Sequence, residues 1–331
     1  MSGSSGRWWS RTALAFVVAT TCSTAVPALT AGAVSASCVR PQRAGTAGSA
    51  NVLGPAAAAA VERDFSRRVA AASSVAAAPK RVQVSSPAHV KRGPMSSPVH
   101  TRRGPVSIPV YWHAIGKDAT VQGGSVPDSA VQEQIGVLNR AFSGTGLSFA
   151  LAGIDRTLNP GWFDAPTGSP VRSDMARALR QGGPADLNVY SLGATSPEGR
   201  GPFGDAAFPW DYAQNPVADG IIVRPGTLPG GDQSDRALGK TAVRMVGHWA
   251  GLFHTFQGGC TDPDGDYVSD TPAEAYASTG CPENRDSCPS EGTDPIRNYM
   301  DMGLDSCATE FTPGQIARLQ LMLRVYRGIE V

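Results

Sequence analysis

The 331 residues suffice for one large domain plus accessory segments, and 41% hydrophobic with 17% charged residues is a globular composition. The net charge of +1 conceals a split: residues 1–104 hold 13 Lys+Arg against 2 Asp+Glu, whereas residues 105–331 hold 16 against 26. A basic front and an acidic back are expected to attract each other. The front carries no recognisable nucleic-acid module, so a nucleic-acid partner is not expected.

The chain opens like an export signal. Arg7 and Arg11 precede the apolar run Thr12–Cys22, and small residues lead to Val34-Ser35-Ala36, a candidate cleavage site. The competing reading is a membrane anchor, but the run is short for a span, and no other stretch reaches about 18 apolar residues. Residues 1–36 are therefore expected to be a signal peptide. Residues 37–104 are expected to be a basic, low-complexity pro-segment or linker, and residues 105–331 the functional domain. Within the linker, Ala56–Ala72 is predicted as an amphipathic helix and the rest as poorly ordered. An 11-residue repeat, HVKRGPMSSPV at 89–99 and HTRRGPVSIPV at 100–110, crosses into the domain. Its Lys91-Arg92 and Arg102-Arg103 pairs read equally as processing points or as an exposed basic linker.

The domain begins with a strand over Val106–Ile115, followed by a helix from Pro127 to about Phe142, with Val131, Ile135, Leu138 and Phe142 on one face. A strand is predicted at Leu147–Ile154, a short helix at Ser173–Arg180, and strands at Ala185–Leu192 and Gly220–Val223. Helices follow over about Leu238–Gly251 and over Pro313–Tyr326, the last opened by Thr312 as cap. The mixture indicates an α+β (mixed α/β) domain with a mixed sheet.

Residues 244–254 read RMVGHWAGLFH. The metzincin zinc motif is His-Glu-x-x-His-x-x-Gly-x-x-His. His248, Gly251 and His254 stand in place, but Arg244 occupies the first ligand position and Met245 the general-base position. Positions 244 and 248 share one helix face, and a left-handed Gly251 lets the chain return so that His254 meets the same point. Three imidazoles would leave zinc an open site for water, whose proton the Glu would take. A guanidinium has no lone pair to give, and a thioether cannot take a proton. On spacing alone, His248 and His254 read as ordinary buried histidines.

The surrounding residues shift that balance. The run from Gly247 to Cys260, together with IPVYWHAI at 108–115, QIGVLNRAFSGTGLSF at 134–149, FPWDY at 208–212, DYVSDTPAE at 266–274, NYMDM at 298–302 and EFTPGQIARLQ at 310–320, resembles the pappalysin family of metzincin zinc metallopeptidases. The resemblance covers about Ile108 to Arg327. It implies a metzincin-like fold with an active-site helix and a Met-turn at Met300, a zinc cofactor, and a peptide or protein in the cleft. Two more departures stand near that turn: Met302 where the family usually has Tyr, and Arg297 where a His commonly stands.

Residues 260–310 hold 12 acidic residues and two arginines. Asp262, Asp264, Asp266 and Asp270 suit calcium or simply a solvated acidic loop. The resemblance points to Asp266, Asp270 and Thr271 as the calcium candidates. Cys260, Cys281, Cys288 and Cys307 read as two disulfides in an exported chain, and spacing leaves three pairings open. The resemblance favours Cys260 with Cys288 and Cys281 with Cys307. Cys38 is left over, as a free or intermolecularly paired thiol.

Three functions follow. The first is a secreted pseudopeptidase that keeps a binding cleft, with zinc binding weak or lost; a buried Arg244 would then need a carboxylate or several carbonyls beside it. The second is an active secreted zinc metalloendopeptidase with a substituted site, for which His113 is the only other domain histidine, expected on the first strand away from the cleft. The third is a decaying product with no selected activity.

Overall fold

Alternating β-branched and aromatic residues make Val106–Gly116 (β1) an inner strand of a five-stranded sheet in the computed structural model of the chain, which describes residues 51–77, 104–193, 202–261 and 264–331. The signal-like residues, Cys38, most of the repeat and Asp262 lie outside these. β2 (Leu147–Leu158), β3 (Leu187–Ser191) and β5 (Ile221–Val223) run parallel to β1, and β4 (Gly204–Ala206) runs antiparallel at the edge, in the order β2-β1-β3-β5-β4. Pro109 is tolerated in β1 because pairing to β3 starts only at Val110, so its missing N–H removes no inner-ladder bond.

Helix α2 (Asp128–Ala141) links β1 to β2 and buries Val131, Ile135 and Leu138, the face its spacing predicts. Two short helices follow, α3 (Pro160–Phe163) and α4 (Pro170–Leu179), the latter capped by Ser169. Helix α5 (Lys240–Trp249) lies against β4, β5 and α2. Helix α6 (Pro313–Arg327) closes the domain. Thr312 and Gln315 form a reciprocal capping box at its start, and Gly328 (φ 68°) ends it. One core of aliphatic side chains fills the space between the sheet and α2, α5 and α6, with Trp112, Phe142 and Trp249 among its largest buried members.

The linker region contains more structure than its composition predicts. Helix α1 spans Pro55–Ala77, beginning one residue earlier and ending five later than expected, and the residues just before it also bond to the domain. The expected attraction between basic front and acidic back is locally reversed. Glu62 and Asp64, the only acidic residues in 1–104, reach Arg318 and the Tyr326 hydroxyl of α6.

Candidate functional site: a metal motif occupied by a guanidinium

Two glycines set the ends of α5. Gly239 (φ 78°) begins it, and the chain around that start is tied from afar: Asp305 Oδ2 accepts from Leu238 N (3.0 Å), just before the helix, and from Lys240 N (3.1 Å), its first residue. Gly251 (φ 97°) ends it, and a Cβ there would stand 2.6 Å from Met322 Cγ on α6. The position therefore needs glycine for its left-handed backbone and for the close approach.

Past Gly251 the chain folds back. The His248 and His254 rings meet with centroids 4.4 Å apart at 78°. Each Nδ1 lies 2.8 Å from a backbone carbonyl, that of Leu252 for His248 and that of Met300 for His254. A carbonyl only accepts, so each Nδ1 carries the proton and each lone pair sits on Nε2. This is how metal-binding imidazoles are oriented. Phe208 packs edge-on against His248 and Phe256 stacks on His254.

The turn beneath is tied from both sides. Met300 is fully buried, and its N–H donates to Asn298 Oδ1 (2.9 Å). Asn298 in turn exchanges two hydrogen bonds with Gln315 of the α6 capping box. The Asp301 carboxylate accepts from the N–H and hydroxyl of Ser278.

Arg244 lies in this frame, buried, with Nε donating to the Asp301 carbonyl at 2.8 Å. Arg236 binds the next two carbonyls, Met302 O (3.0 Å) and Gly303 O (3.2 Å). Burial, then repulsion from Arg236, holds the Arg244 guanidinium down to about 10, with Asp305 and Asp301 opposing. It stays charged at neutral pH, at a cost of about 3 kcal/mol. The expected carboxylates stand nearby, Asp305 and Asp301, but among the described residues neither forms an ion pair with Arg244, whose hydrogen bond goes to the Asp301 main-chain carbonyl. Met245 is equally buried. Its thioether belongs to the core against Gly204 of β4, where a Cβ on Gly204 would stand 2.8 Å from Met245 Cγ.

The residues present do not fit a catalytic zinc centre of the three-ligand kind. His248 and His254 are brought together, but the third position carries a cation, and no three His, Cys, Asp or Glu side chains converge among the described residues. His113 is buried in β1, between Asp155 Oδ2 (2.6 Å) and Asn188 Oδ1 (3.0 Å). Arg297 is exposed, and its main-chain carbonyl accepts from Thr309 and Glu310.

The acidic segment is held by Cys260–Cys288 and Cys281–Cys307. Glu274 is buried beside the site: Oε2 accepts from Thr255, the neighbour of His254, at 2.7 Å, and Oε1 pairs with Arg285. Burial, then the charge of Asp301, pushes its carboxyl up to about 7. Asp266 Oδ1 accepts from Val268 N, and the buried Asp266 carboxylate stands beside the Thr271 hydroxyl, which donates to it. Asp270 accepts from the Thr312 hydroxyl (2.7 Å) and Gly314 N (2.8 Å), bracing the start of α6. The roles of Gly247, Asp305 and Gln315 escaped the sequence reading. A mid-helix glycine beside His248 and a Thr-x-x-Gln ahead of α6 were the legible signals for two of them.

Comparison with known proteins places these features. Residues 206–324 match the family described as pregnancy-associated plasma protein-A, peptidase M43. An extracellular metalloprotease of Verticillium alfalfae is 47% identical over 223 residues, 66% of this chain and 76% of that protein. One of Podospora anserina is 46% identical, over 66% of this chain and 73% of its own length. The fold is similar to that of Tannerella forsythia mature mirolysin in complex with a cleaved peptide, with TM-score 0.56, 24% identity, and coverage of 68% of this chain and 96% of that one.

Proposed function

The chain belongs to the pappalysin (peptidase M43) family of metallopeptidases, and from that membership we propose that it is an extracellular member whose cleft binds peptide or protein without cleaving it. The observation that carries this reading is the Arg244 Nε bond to Asp301 O, which fixes a permanent cation at the first ligand position. A divalent ion would have to approach that cation, and Met245, at the general-base position of the motif, offers no base. The export-like N-terminus and the extracellular relatives support secretion. No helix among the described residues is long and apolar enough to cross a membrane.

A second reading has its own support. With Nδ1 of both His248 and His254 committed to carbonyls, both rings keep the orientation of zinc ligands, so weak residual zinc binding is compatible with the pair. The alternative of an active endopeptidase would need a third ligand and a base from elsewhere in the chain. For calcium, the buried oxygens Asp266 Oδ2 and Thr271 Oγ1, with Asp270 nearby in sequence, fit a hard-cation site. That site is part of the proposal.

The test is capture from a peptide library by the secreted chain with zinc present, followed by mass determination of what is recovered. The reading expects intact peptides. Recovery of fragments that disappears with a chelator would overturn it.

A further inference from the structure

The three carbonyls that follow Met300 are all held by guanidiniums. Arg244 Nε takes Asp301 O at 2.8 Å, and Arg236, just ahead of α5, takes Met302 O (3.0 Å) and Gly303 O (3.2 Å). A guanidinium presents five N–H donors. Among the described residues Arg244 donates one hydrogen bond and Arg236 two, so most of their donors have no acceptor there. Arg244 is nevertheless only 2% exposed.

The charges are as poorly matched as the donors. The two guanidiniums repel each other, and among the described residues neither forms an ion pair, in a domain whose residues 105–331 hold 26 acidic side chains against 16 basic. Asp301 and Asp305 stand nearby, but their oxygens are committed to other donors. The Asp301 carboxylate accepts from Ser278 N, the Ser278 hydroxyl and Met302 N, and Asp305 Oδ2 accepts from Leu238 N and Lys240 N. Asp305 Oδ1 is buried without a hydrogen bond, and one oxygen cannot answer all the remaining donors.

The pair lies at the cleft. Arg244 and His248 share a face of α5 one turn apart, and the carbonyl that holds His254 Nδ1 is next in sequence to the one that holds Arg244. Arg236 is half-buried, so it reaches solvent, and its guanidinium stacks 4.9 Å from the centroid of the Phe203 ring. A planar fork fixed in this way is suited to a carboxylate, which supplies both the missing acceptors and the missing charge.

We propose that the carboxylate of a bound peptide completes this pair, with Arg236 as its solvent-reachable contact and Arg244 as the buried charge beside it. The cleft then selects peptides that bring a carboxylate, either on an acidic side chain or at the C-terminus. This rests on the reading of the cleft as a peptide-binding groove and names the class of peptide it takes.

The test measures capture of three random dodecapeptide libraries by the full chain with zinc present. One is amidated and lacks Asp and Glu, one is amidated and contains them, and one lacks them but has a free C-terminus. Capture of the first is expected to be at least about tenfold below that of a library supplying the carboxylate, and the better of those two identifies its source. The advantage should shrink in about 0.5 M salt. Asp305→Asn keeps an oxygen for the two N–H groups and removes the opposing charge, so it should raise capture of the favoured library, while Arg236→Gln should remove the advantage. Equal capture of all three libraries, or an advantage that salt does not move, would overturn the proposal and leave uncleaved peptide binding standing. Recovery of fragments would instead overturn the reading beneath it, and capture of none would overturn both.

Discussion

The Met300 sulfur fills the space that a side chain on residue 247 would need: a Cβ built on Gly247 would overlap Met300 Sδ and stand 3.1 Å from its methyl carbon. The helix carrying Arg244 and His248 thereby rests directly on the thioether of the turn whose carbonyls hold Arg244 and His254.

Gly247→Ala is therefore expected to destabilise the fold. Helix propensity favours alanine by about 1 kcal/mol, but forcing a methyl into a filled space costs about 1–3 kcal/mol. The net loss should be about 1 kcal/mol in urea unfolding. Met300→Ala in the same chain should relieve the overlap, so the double variant should be more stable than the sum of the two losses implies. Equal or greater stability of Gly247→Ala alone would show that the contact is slack.

Glu274 gives a pH dependence. Its folded carboxyl is pushed up to about 7, above the ordinary 4.5, by burial and by Asp301. Between those values the native state keeps a proton that the unfolded chain has lost, so stability falls as pH rises through that window. The slope is at most about 1.4 kcal/mol per pH unit. Thermal melts from pH 5 to 8 should show the decline in the natural chain and a flatter profile in Glu274→Gln. Parallel profiles would assign the dependence to another group.

The two disulfides overlap in sequence, with separations of 28 and 26 residues. Each restrains the unfolded chain by about 3–4 kcal/mol. Replacing Cys281 and Cys307 together with Ser should cost about 2–4 kcal/mol, and protease nicking should concentrate in residues 264–310. No change in the unfolding midpoint would mean that this loop is held by its Glu274, Asp294 and Asp301 bonds alone.

The long elements were legible because their periodicity is strong. β1 and α2 appear within one or two residues of the predicted bounds, and α6 was marked by Thr312 and Pro313. β4 was not legible, since three residues carry no period, and its pairing comes from Ile221–Val223 rather than from its own side chains. The motif told which chemical groups stand at positions 244 and 245. It did not tell where they point, because that is decided by the Asp301 carbonyl, 57 residues away, and by Gly204. The docking of residues 51–77 was hidden for the same reason: an alanine-rich helix reads as solvated until Phe208, Phe253 and Arg318 are seen against it.

Metal content after purification with excess zinc tests the central claim most directly, measured on the natural chain and on the Arg244→His, Met245→Glu double variant. The natural chain should carry far less than one zinc per molecule and leave a denatured protein substrate intact, while the folded double variant approaches one. One zinc per natural chain, with turnover abolished by a chelator, would contradict the account.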